Sequence, residues 1–272
     1  MSVILEGKKL AESILDGLKK KTAGKNISLA VVQVGKDPAS EVFLRAKERA
    51  CKKAGIRFKK HIFPKSVSQL TLEKNVKRIV KENSGTIVQL PLPKHIRPEE
   101  ILNLIPGEKD PDVLSEQRFV DFLKGKSSVL PPVAEAIKVI FDRYGIKVKG
   151  RKVVVVGSGR LTGFPSAVWA LQQGGKVFII NEATKSPSSL ASKADILISG
   201  TGKPGLIKGS WVKKGAVVVD CGTNVRKRKL GGDVDFKEVS KKASFITPVP
   251  GGIGPLTVAA VLKNLVKLNQ KR

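Results

Sequence analysis

The sequence is short of cysteine and of long apolar runs. Its two cysteines, Cys51 and Cys221, cannot build a disulfide framework, which indicates a reducing compartment. No stretch approaches the roughly 18 consecutive apolar residues that a membrane-spanning helix needs. Charges also interrupt the N-terminus before a signal-peptide core could form. These absences argue against secreted and membrane proteins, so a cytoplasmic protein without a membrane partner is expected.

Acidic and aromatic residues are also scarce. The chain has 23 Asp+Glu against 51 Lys+Arg, a net charge of +28, and 5% aromatic residues. The charge alone suggests an anionic partner such as nucleic acid. No aromatic platform accompanies the basic runs, so base stacking has little support and nucleic acid is not the expected partner. Basic residues could instead steer small anionic ligands, and most of the excess is not explained by function.

Strand-like and helix-like segments alternate through the 272 residues, a length that predicts two domains. The alternation predicts an α/β fold with parallel sheets. The predicted strands are 27–34, 86–90, 152–156, 176–181, 196–199 and 216–220, and the predicted helices are 40–54, 132–144, 163–173 and 255–268. A polar stretch at 144–150 separates the two series, and the last helix could pack on either domain.

An apolar strand at 152–156 runs into Gly157, Gly159 and Gly163 at the start of a predicted helix. The spacing is G-x-G-x-x-x-G rather than the usual G-x-G-x-x-G. Glycines here allow a tight turn and let backbone N–H groups approach a pyrophosphate at the helix N-terminus. The strand-to-helix position favours a dinucleotide-binding, Rossmann-like domain over the alternative, a purely structural turn.

Glu182 follows the second strand of this series. An acidic residue there typically accepts hydrogen bonds from the ribose hydroxyls of NAD and repels the 2′-phosphate of NADP. Glu182 therefore favours NAD. Two alternatives stay open: Glu182 is an exposed loop carboxylate, or Arg160 or Lys185 receives a phosphate.

The first half of the chain holds three candidates for chemistry. Phe43 and Lys47 stand at i and i+4 of a predicted helix and share one face, although a solvated surface pair is the alternative. Gln89 is a polar residue in an apolar strand end, which fits a site residue or a loop start. Asp110 and Asp112 lie in an acidic loop and are ambiguous on their own.

A loop rich in proline and glycine occupies residues 246–257 near the C-terminus. It contains three prolines and three glycines. Proline makes such a loop rigid, and glycine lets a ligand approach the backbone. Because the composition is poor core material, a functional loop is the favoured interpretation.

Together these segments resemble the methylenetetrahydrofolate dehydrogenase/methenyltetrahydrofolate cyclohydrolase family over nearly the full length. The matching segments are Pro38-Ala39-Ser40 through Lys47, Val88-Gln89-Leu90-Pro91-Leu92-Pro93, Lys109-Asp110-Pro111-Asp112, Asp220-Cys221-Gly222, Gly232-Asp233-Val234 and Thr247 to Thr257. The last segment is highly specific to the family.

The resemblance implies two domains with a folate cleft between them. A folate-binding catalytic domain is expected at 1–140, completed by the C-terminal helix 255–272, and a Rossmann-like NAD(P)-binding domain at 141–254. The resemblance also implies tetrahydrofolate derivatives as substrates, NADP or NAD as cofactor, no metal site, and a homodimer formed through the cofactor domain.

Roles follow from the resemblance by position. Lys47 is implied as the catalytic lysine, Gln89 as the residue that tunes it, and Asp112 as the carboxylate that pairs with the pterin amino and ring nitrogens. The implied substrate-binding residues are Phe43, Lys47, Val88, Gln89, Leu90, Asp112, Pro250, Gly251, Gly252, Ile253, Gly254 and Thr257. The implied cofactor-binding residues are Gly157, Ser158, Gly159, Arg160, Glu182, Thr201, Gly202, Cys221, Gly222 and Thr223.

Several positions depart from the family pattern. Phe43 replaces the tyrosine of Tyr-x-x-x-Lys, Ser158 replaces the arginine of the cofactor loop, and Glu182 replaces the serine after the second cofactor strand. Val113 stands where the family has glycine, and the family's Pro-Cys-Thr-Pro reads Val129-Leu130-Pro131-Pro132. The changes at 158 and 182 favour NAD.

The departures lead to a hypothesis about the two activities. The dehydrogenase is expected to be intact and the cyclohydrolase weakened or lost, because Phe43 lacks a hydroxyl that would orient Lys47 by a hydrogen bond. The alternatives are a monofunctional NAD-dependent dehydrogenase, a non-catalytic paralogue that binds folate or nucleotide, and, on charge alone, a nucleic-acid binder.

Overall fold

The computed structural model describes residues 2–35, 38–226 and 229–270. The chain divides into two compact units. The large-sheet unit contains the chain up to Leu10 and Val133–Thr257. The small-sheet unit contains Ala11–Pro132 and the chain from Val258 onward.

Strands and helices alternate along the chain. The strands are β1 (Val3–Ile4), β2 (Ser28–Val34), β3 (Arg57–Phe63), β4 (Gly85–Val88), β5 (Lys152–Val156), β6 (Lys176–Ile180), β7 (Ile196–Ser199), β8 (Val217–Asp220), β9 (Asn224–Arg226), β10 (Lys229–Gly231) and β11 (Phe245–Ile246). The helices are α1 (Lys8–Thr22), α2 (Pro38–Lys53), α3 (Gln69–Glu82), α4 (Pro98–Leu102), α5 (Glu116–Leu123), α6 (Pro132–Tyr144), α7 (Gly163–Gln172), α8 (Pro187–Ala191), α9 (Phe236–Val239) and α10 (Ile253–Leu268). Among the described residues, no helix is both long and apolar enough to cross a membrane.

The small-sheet unit is built on a three-stranded parallel sheet of order β3-β2-β4. The central strand β2 is buried along all seven residues, as expected for a strand covered on both faces. Leu72, Val76 and Ile79 recur at helical spacing on α3 and pack with Val32 of β2 in one core. This core fixes the sheet from which β4 leads directly into Gln89.

The large-sheet unit is built on a six-stranded parallel sheet of order β1-β11-β8-β7-β5-β6. The apolar strands β7 and β8 are buried throughout, and β5 is buried from its second residue onward. Because the strands are parallel, the carboxyl ends of β5, β6, β7 and β8 meet at one edge of the sheet. The loops that carry Gly157, Glu182, Thr201 and Cys221 all begin at that edge.

The expected α/β fold with parallel sheets is confirmed. The sequence did not predict β3, and it did not predict β1, whose two residues pair with β11 and connect the N-terminal segment to the large-sheet unit. Two residues are too few to show a periodicity, so only pairing with a distant strand defines this element. The domain limits expected at 140/141 and 254/255 stay a prediction.

Candidate active site

The small-sheet unit brings Lys47 and Gln89 together. Lys47 lies on α2 and is 6% exposed, so the alternative of a solvated surface lysine is wrong. Its Nζ donates a hydrogen bond to Oε1 of Gln89 at 2.9 Å. Gln89 is held in turn by its backbone N–H, which donates to the carbonyl of Val32 at 2.8 Å, and by its Nε2, which donates to the carbonyl of Leu90 at 3.2 Å. The lysine therefore faces a fixed neutral acceptor.

Burial is the largest influence on the pKa of Lys47. It lowers the pKa of the ammonium, while the Asp112 carboxylate and, more weakly, Cys51 oppose that effect. A lysine with a lowered pKa has a larger neutral fraction near pH 7 and can accept a proton.

A turn around Asp110 holds Asp112. The buried Asp110 carboxylate accepts hydrogen bonds from the backbone N–H groups of Asp112 at 3.2 Å, Leu114 at 2.9 Å and Ser115 at 2.7 Å, and from Oγ of Ser115 at 2.7 Å. Val113 has a φ of 58°, a left-handed conformation that is unusual for a β-branched residue. Burial raises the pKa of Asp112, Lys47 lowers it, and Asp110 raises it further.

Helix α10 supports the same loop. Nδ2 of the buried Asn264 donates to the carbonyl of Pro111 at 2.9 Å and to the carbonyl of Leu130 at 2.8 Å. Sequence reasoning singled out neither Asn264 nor the capping role of Asp110. The sequence signal for Asn264 was an isolated Asn in an apolar helix. The signal for Asp110 was a pair of acidic residues two positions apart.

The remaining predicted substrate residues of this unit include neighbours of the pair along the chain. Phe43 lies one turn before Lys47 on α2 and is half-buried. Val88 is the buried last residue of β4, and the carbonyl of the half-buried Leu90 also accepts a hydrogen bond from Oγ of Ser40 at 3.2 Å. The structure thus places Phe43, Lys47, Val88, Gln89, Leu90 and Asp112 in one unit.

The loop rich in proline and glycine belongs to the large-sheet unit, where the N-terminal segment secures it. The carbonyl of Gly251 accepts hydrogen bonds from the backbone N–H groups of Gly7 at 2.8 Å and Lys8 at 3.0 Å. The N–H of Gly252 donates to the carbonyl of Pro248 at 2.9 Å. The other predicted residues are Pro250, which is exposed, and Ile253, Gly254 and Thr257, which lie in the first turns of α10.

Two glycines of the loop after β5 are required because a Cβ at either position would clash with the backbone. Gly157 has a φ of 102°, and a Cβ there would lie 2.7 Å from the carbonyl oxygen of Gly200. A Cβ at Gly163 would overlap the carbonyl oxygen of Gly157, so the start of α7 packs directly on the loop. A Cβ at Gly159 would meet nothing within 4 Å. The loop is therefore closed toward the protein and open on its outer side, where Ser158 is exposed.

Two buried carboxylates organise the loops after β7 and β8. Oδ2 of Asp233 accepts hydrogen bonds from Oγ of Ser199 at 2.8 Å and from the backbone N–H of Thr201 at 2.6 Å. Oδ1 of Asp220 accepts from the backbone N–H groups of Gly222 at 2.9 Å and Asp233 at 3.1 Å. Burial raises the pKa of Asp220 to about 6.

These carboxylates accept hydrogen bonds from the loops that contain the remaining predicted cofactor residues. Thr201 and Gly202 follow β7, and Cys221, Gly222 and Thr223 follow β8. Sequence reasoning recorded Asp220 and Asp233 only as parts of motifs and did not recognise that they hold these loops. Burial also raises the pKa of the Cys221 thiol well above its usual range.

Glu182 is highly exposed and forms an ion pair with Lys203. Its side chain is 87% exposed, and its Oε1 lies 2.6 Å from Nζ of Lys203. The hydrogen bond from Lys203 lowers the pKa of this carboxyl, so Glu182 is charged at neutral pH. Lys203 was not among the residues that the sequence singled out.

The two units define a class of protein. A parallel sheet with a glycine loop at its carboxyl ends is typical of a nucleotide-binding domain, and the other α/β unit buries a lysine against a glutamine. Family models for tetrahydrofolate dehydrogenase/cyclohydrolase match residues 5–112 as the catalytic domain and residues 131–272 as the NAD(P)-binding domain. The chain belongs to this family.

Relatives match the chain from end to end. The bifunctional protein FolD of a Nitratiruptor species is 42% identical over 277 residues, which cover 99% of this chain and 98% of the relative. The crystal structure of the bifunctional enzyme FolD from Campylobacter jejuni has a TM-score of 0.94 at 35% identity and covers 100% of both chains. The Trypanosoma brucei enzyme, complexed with NADP cofactor and inhibitor, also has a TM-score of 0.94, at 32% identity, covering 99% of this chain and 98% of that one.

Proposed function

We propose that this chain oxidises 5,10-methylenetetrahydrofolate to 5,10-methenyltetrahydrofolate by hydride transfer to NAD(P), and hydrolyses the product to 10-formyltetrahydrofolate. The observation that carries this proposal is the hydrogen bond from the buried Lys47 to the half-buried Gln89, with the Asp112 carboxylate acting on the pKa of the same lysine. Full-length similarity to bifunctional relatives supports both activities. The second step is slower than it would be with tyrosine at position 43, because Phe43 has no hydroxyl.

In the first step a C–H bond of the methylene carbon breaks, and its electron pair leaves with the hydride. The lone pair of the adjacent nitrogen stabilises the iminium that forms, so the chain contributes chiefly by positioning the reactants. Asp112 pairs with the pterin amino and ring nitrogens, and Phe43 stacks on the folate ring. The other proposed substrate-binding residues are Val88, Gln89, Leu90, Pro250, Gly251, Gly252, Ile253, Gly254 and Thr257.

In the second step Lys47 moves a proton. The oxygen of a water adds to the methenyl carbon, and neutral Lys47 accepts the proton that the water loses. The hydroxyl oxygen of this adduct then loses its proton and forms the C=O double bond as the bond from that carbon to N5 of the folate breaks. N5 takes a proton from the ammonium of Lys47, which becomes neutral again, and the hydroxyl proton is the one released overall. Gln89 orients the amine without adding a negative charge that would favour the ammonium form.

The loops at the carboxyl edge of the large sheet fit a dinucleotide. The open outer side of Gly159 and the N-terminus of α7 suit a pyrophosphate. A nicotinamide dinucleotide bound there would accept the hydride. The proposed contacts are Gly157, Ser158, Gly159, Arg160, Glu182, Thr201, Gly202, Cys221, Gly222 and Thr223, and among them Ser158 and Glu182 favour NAD over NADP.

A homodimer through the large-sheet unit is part of the proposal. Strand β6 is the edge strand of the six-stranded sheet and exposes Phe178 and Ile179. Helix α7 exposes Phe164 and Leu171. An exposed apolar edge strand favours association, and a second copy of the same edge is a self-complementary partner.

The proposed function is tested by assaying both steps on purified protein with NAD and with NADP. We expect reduction of the dinucleotide that depends on methylenetetrahydrofolate. We also expect hydrolysis of methenyltetrahydrofolate, at a lower rate than with tyrosine at position 43. Oxidation without any hydrolysis would favour the second candidate, a monofunctional dehydrogenase, for which Phe43 is the specific observation. Absence of both reactions would overturn the proposal.

A further inference from the structure

A charge pair joins two loops on either side of the glycine loop. Nζ of Lys203 lies 2.6 Å from Oε1 of Glu182. Glu182 follows β6 and Lys203 follows β7, and the strand order β7-β5-β6 places β5 between them. Adjacent strands lie about 4.8 Å apart, so the pair bridges roughly 10 Å of the sheet edge. It therefore crosses the point at which Gly157 leaves β5.

The backbone on both sides of the pair is held in place. The N–H of Lys203 donates to Oγ1 of Thr201 at 3.1 Å, and the N–H of Thr201 donates to the buried Asp233 carboxylate at 2.6 Å. On the glutamate side, the N–H of Asn181 donates to Oγ1 of Thr184 at 3.0 Å. Only the two side chains have to move for the pair to open.

Both side chains are in contact with solvent. The side chain of Lys203 is 57% exposed and that of Glu182 is 87% exposed. Ion pairs with this much exposure are weak, so a ligand that arrives at the sheet edge can separate the charges. A ribose at the end of the second strand would then meet the Glu182 carboxylate, and a phosphate on its 2′ position would meet the ammonium of Lys203.

We propose that Lys203 is a specificity-determining residue that offsets the charge of Glu182 and lets the site take a dinucleotide with a 2′-phosphate as well as one without. The inference rests on the proposed function, which places the adenosine ribose beside Glu182. Glu182 alone repels a 2′-phosphate. With Lys203 in place, the net charge of the pair is zero and the repulsion is reduced, so the preference of Glu182 for NAD no longer excludes NADP.

The test is the affinity of Lys203→Met for NADPH and NADH, measured as dissociation constants by fluorescence titration. The ratio of NADPH affinity to NADH affinity is expected to fall on the order of tenfold, because Glu182 is left unopposed. In the double variant Glu182→Gln/Lys203→Met most of this loss is recovered. The wild-type ratio also changes with ionic strength, since the interaction with the phosphate is between exposed charges.

Lys213→Met is the matched control. Nζ of Lys213 lies 2.6 Å from Oδ1 of Asp195, and its side chain is 51% exposed, but this pair lies at the amino end of β7. The control is expected to keep the wild-type ratio. An unchanged ratio in Lys203→Met, or an equal fall in Lys213→Met, would overturn the inference. Because the titration needs no folate, a protein that binds both dinucleotides without oxidising folate would overturn the proposed function alone.

Discussion

Lys47 and Gln89 join helix α2 to the end of strand β4 through a hydrogen bond of 2.9 Å between Nζ and Oε1. The acceptor is an amide and carries no charge. A carboxylate in the same place would favour the ammonium form and raise the pKa of the lysine, whereas the amide leaves burial as the dominant effect. The pair thus orients the lysine amine without adding a charge that would raise its pKa.

Lys47→Met should separate the two activities. The cyclohydrolase rate is expected to fall by about 10²–10⁴-fold, the usual contribution of a general base, because the methionine cannot accept a proton. The dehydrogenase rate should fall less, since hydride transfer depends chiefly on positioning. Kinetic assays of both steps measure the difference.

Lys53→Met is the control for that experiment. Lys53 lies on the same helix and is exposed, and its Nζ is 3.2 Å from Oδ1 of Asp16. Both rates should stay near the wild-type values in this variant. Equal losses of the two activities in Lys47→Met would contradict the assignment of the lysine as the base of the second step.

Asp220→Asn should change how stability depends on pH. The folded-state pKa of Asp220 is about 6 and its ordinary value is 3.8, so the folded protein binds more protons than the unfolded chain between these values. This contribution to stability is fully present below pH 3.8 and is lost as pH rises through about 6. It amounts to at most about 3 kcal/mol.

The measurement is the free energy of unfolding of both proteins by denaturant titration from pH 4 to pH 7. The stability of wild type minus that of Asp220→Asn should fall as pH rises. Asp235→Asn is the control, because a hydrogen bond from Lys208 lowers the pKa of Asp235 from its usual 3.8, so its contribution is lost only at lower pH and the difference should stay nearly flat over this range. A difference that is flat in Asp220→Asn would show that the carboxylate is not destabilised by burial.

At Val113 we expect the glycine variant to be more stable than the alanine variant, the reverse of the usual order. Its φ of 58° is strained for any residue with a Cβ, by roughly 1–2 kcal/mol. Val113→Gly and Val113→Ala both lose the buried side chain, but only glycine relieves the strain. The glycine variant is therefore expected to be about 1 kcal/mol more stable than the alanine variant.

Val31 provides the comparison at an ordinary backbone position. It is fully buried in β2, where alanine should be more stable than glycine. Thermal and denaturant unfolding of the four variants shows whether glycine or alanine is more stable at each of the two positions. The same order at both positions would exclude strain at Val113.

The oligomeric state tests the exposed edge of the large sheet. Wild type is expected to sediment as a dimer, and Ile179→Glu as a monomer, because the substitution places a charge on the edge strand β6. Leu70→Glu is the control, since Leu70 is an exposed leucine on α3 of the small-sheet unit. A monomeric wild type, or a dimer in Ile179→Glu, would rule out this interface.

Strands with continuous apolar runs could be predicted from sequence, whereas the seven-residue strand β3 was missed because Arg57, Lys59, Lys60 and His61 interrupt its apolar residues. Continuous apolar runs such as β5 and β8 predict buried parallel strands, and the glycines after β5 mark a strand-to-helix turn. The two-residue strands β1 and β11 exist only through pairing with each other and with β8. No local pattern predicts them.

The candidate site divides in a similar way. Lys47, Gln89 and Asp112 belong to motifs, so a resemblance assigns them. Asp110, Asp233 and Asn264 act by capping or supporting backbone groups. Such roles depend on which N–H or carbonyl lies within about 3 Å, which is a property of the folded chain. The Glu182–Lys203 pair was missed because its residues follow different strands.

Phe43→Tyr tests the central claim most directly. The substitution adds one hydroxyl beside an otherwise unchanged Lys47, and its hydrogen bond is worth about 0.5–1.5 kcal/mol. The ratio of cyclohydrolase rate to dehydrogenase rate, measured on wild type and variant under the same conditions, should therefore rise by about two- to tenfold. An unchanged ratio would contradict the account that Phe43 limits the second step.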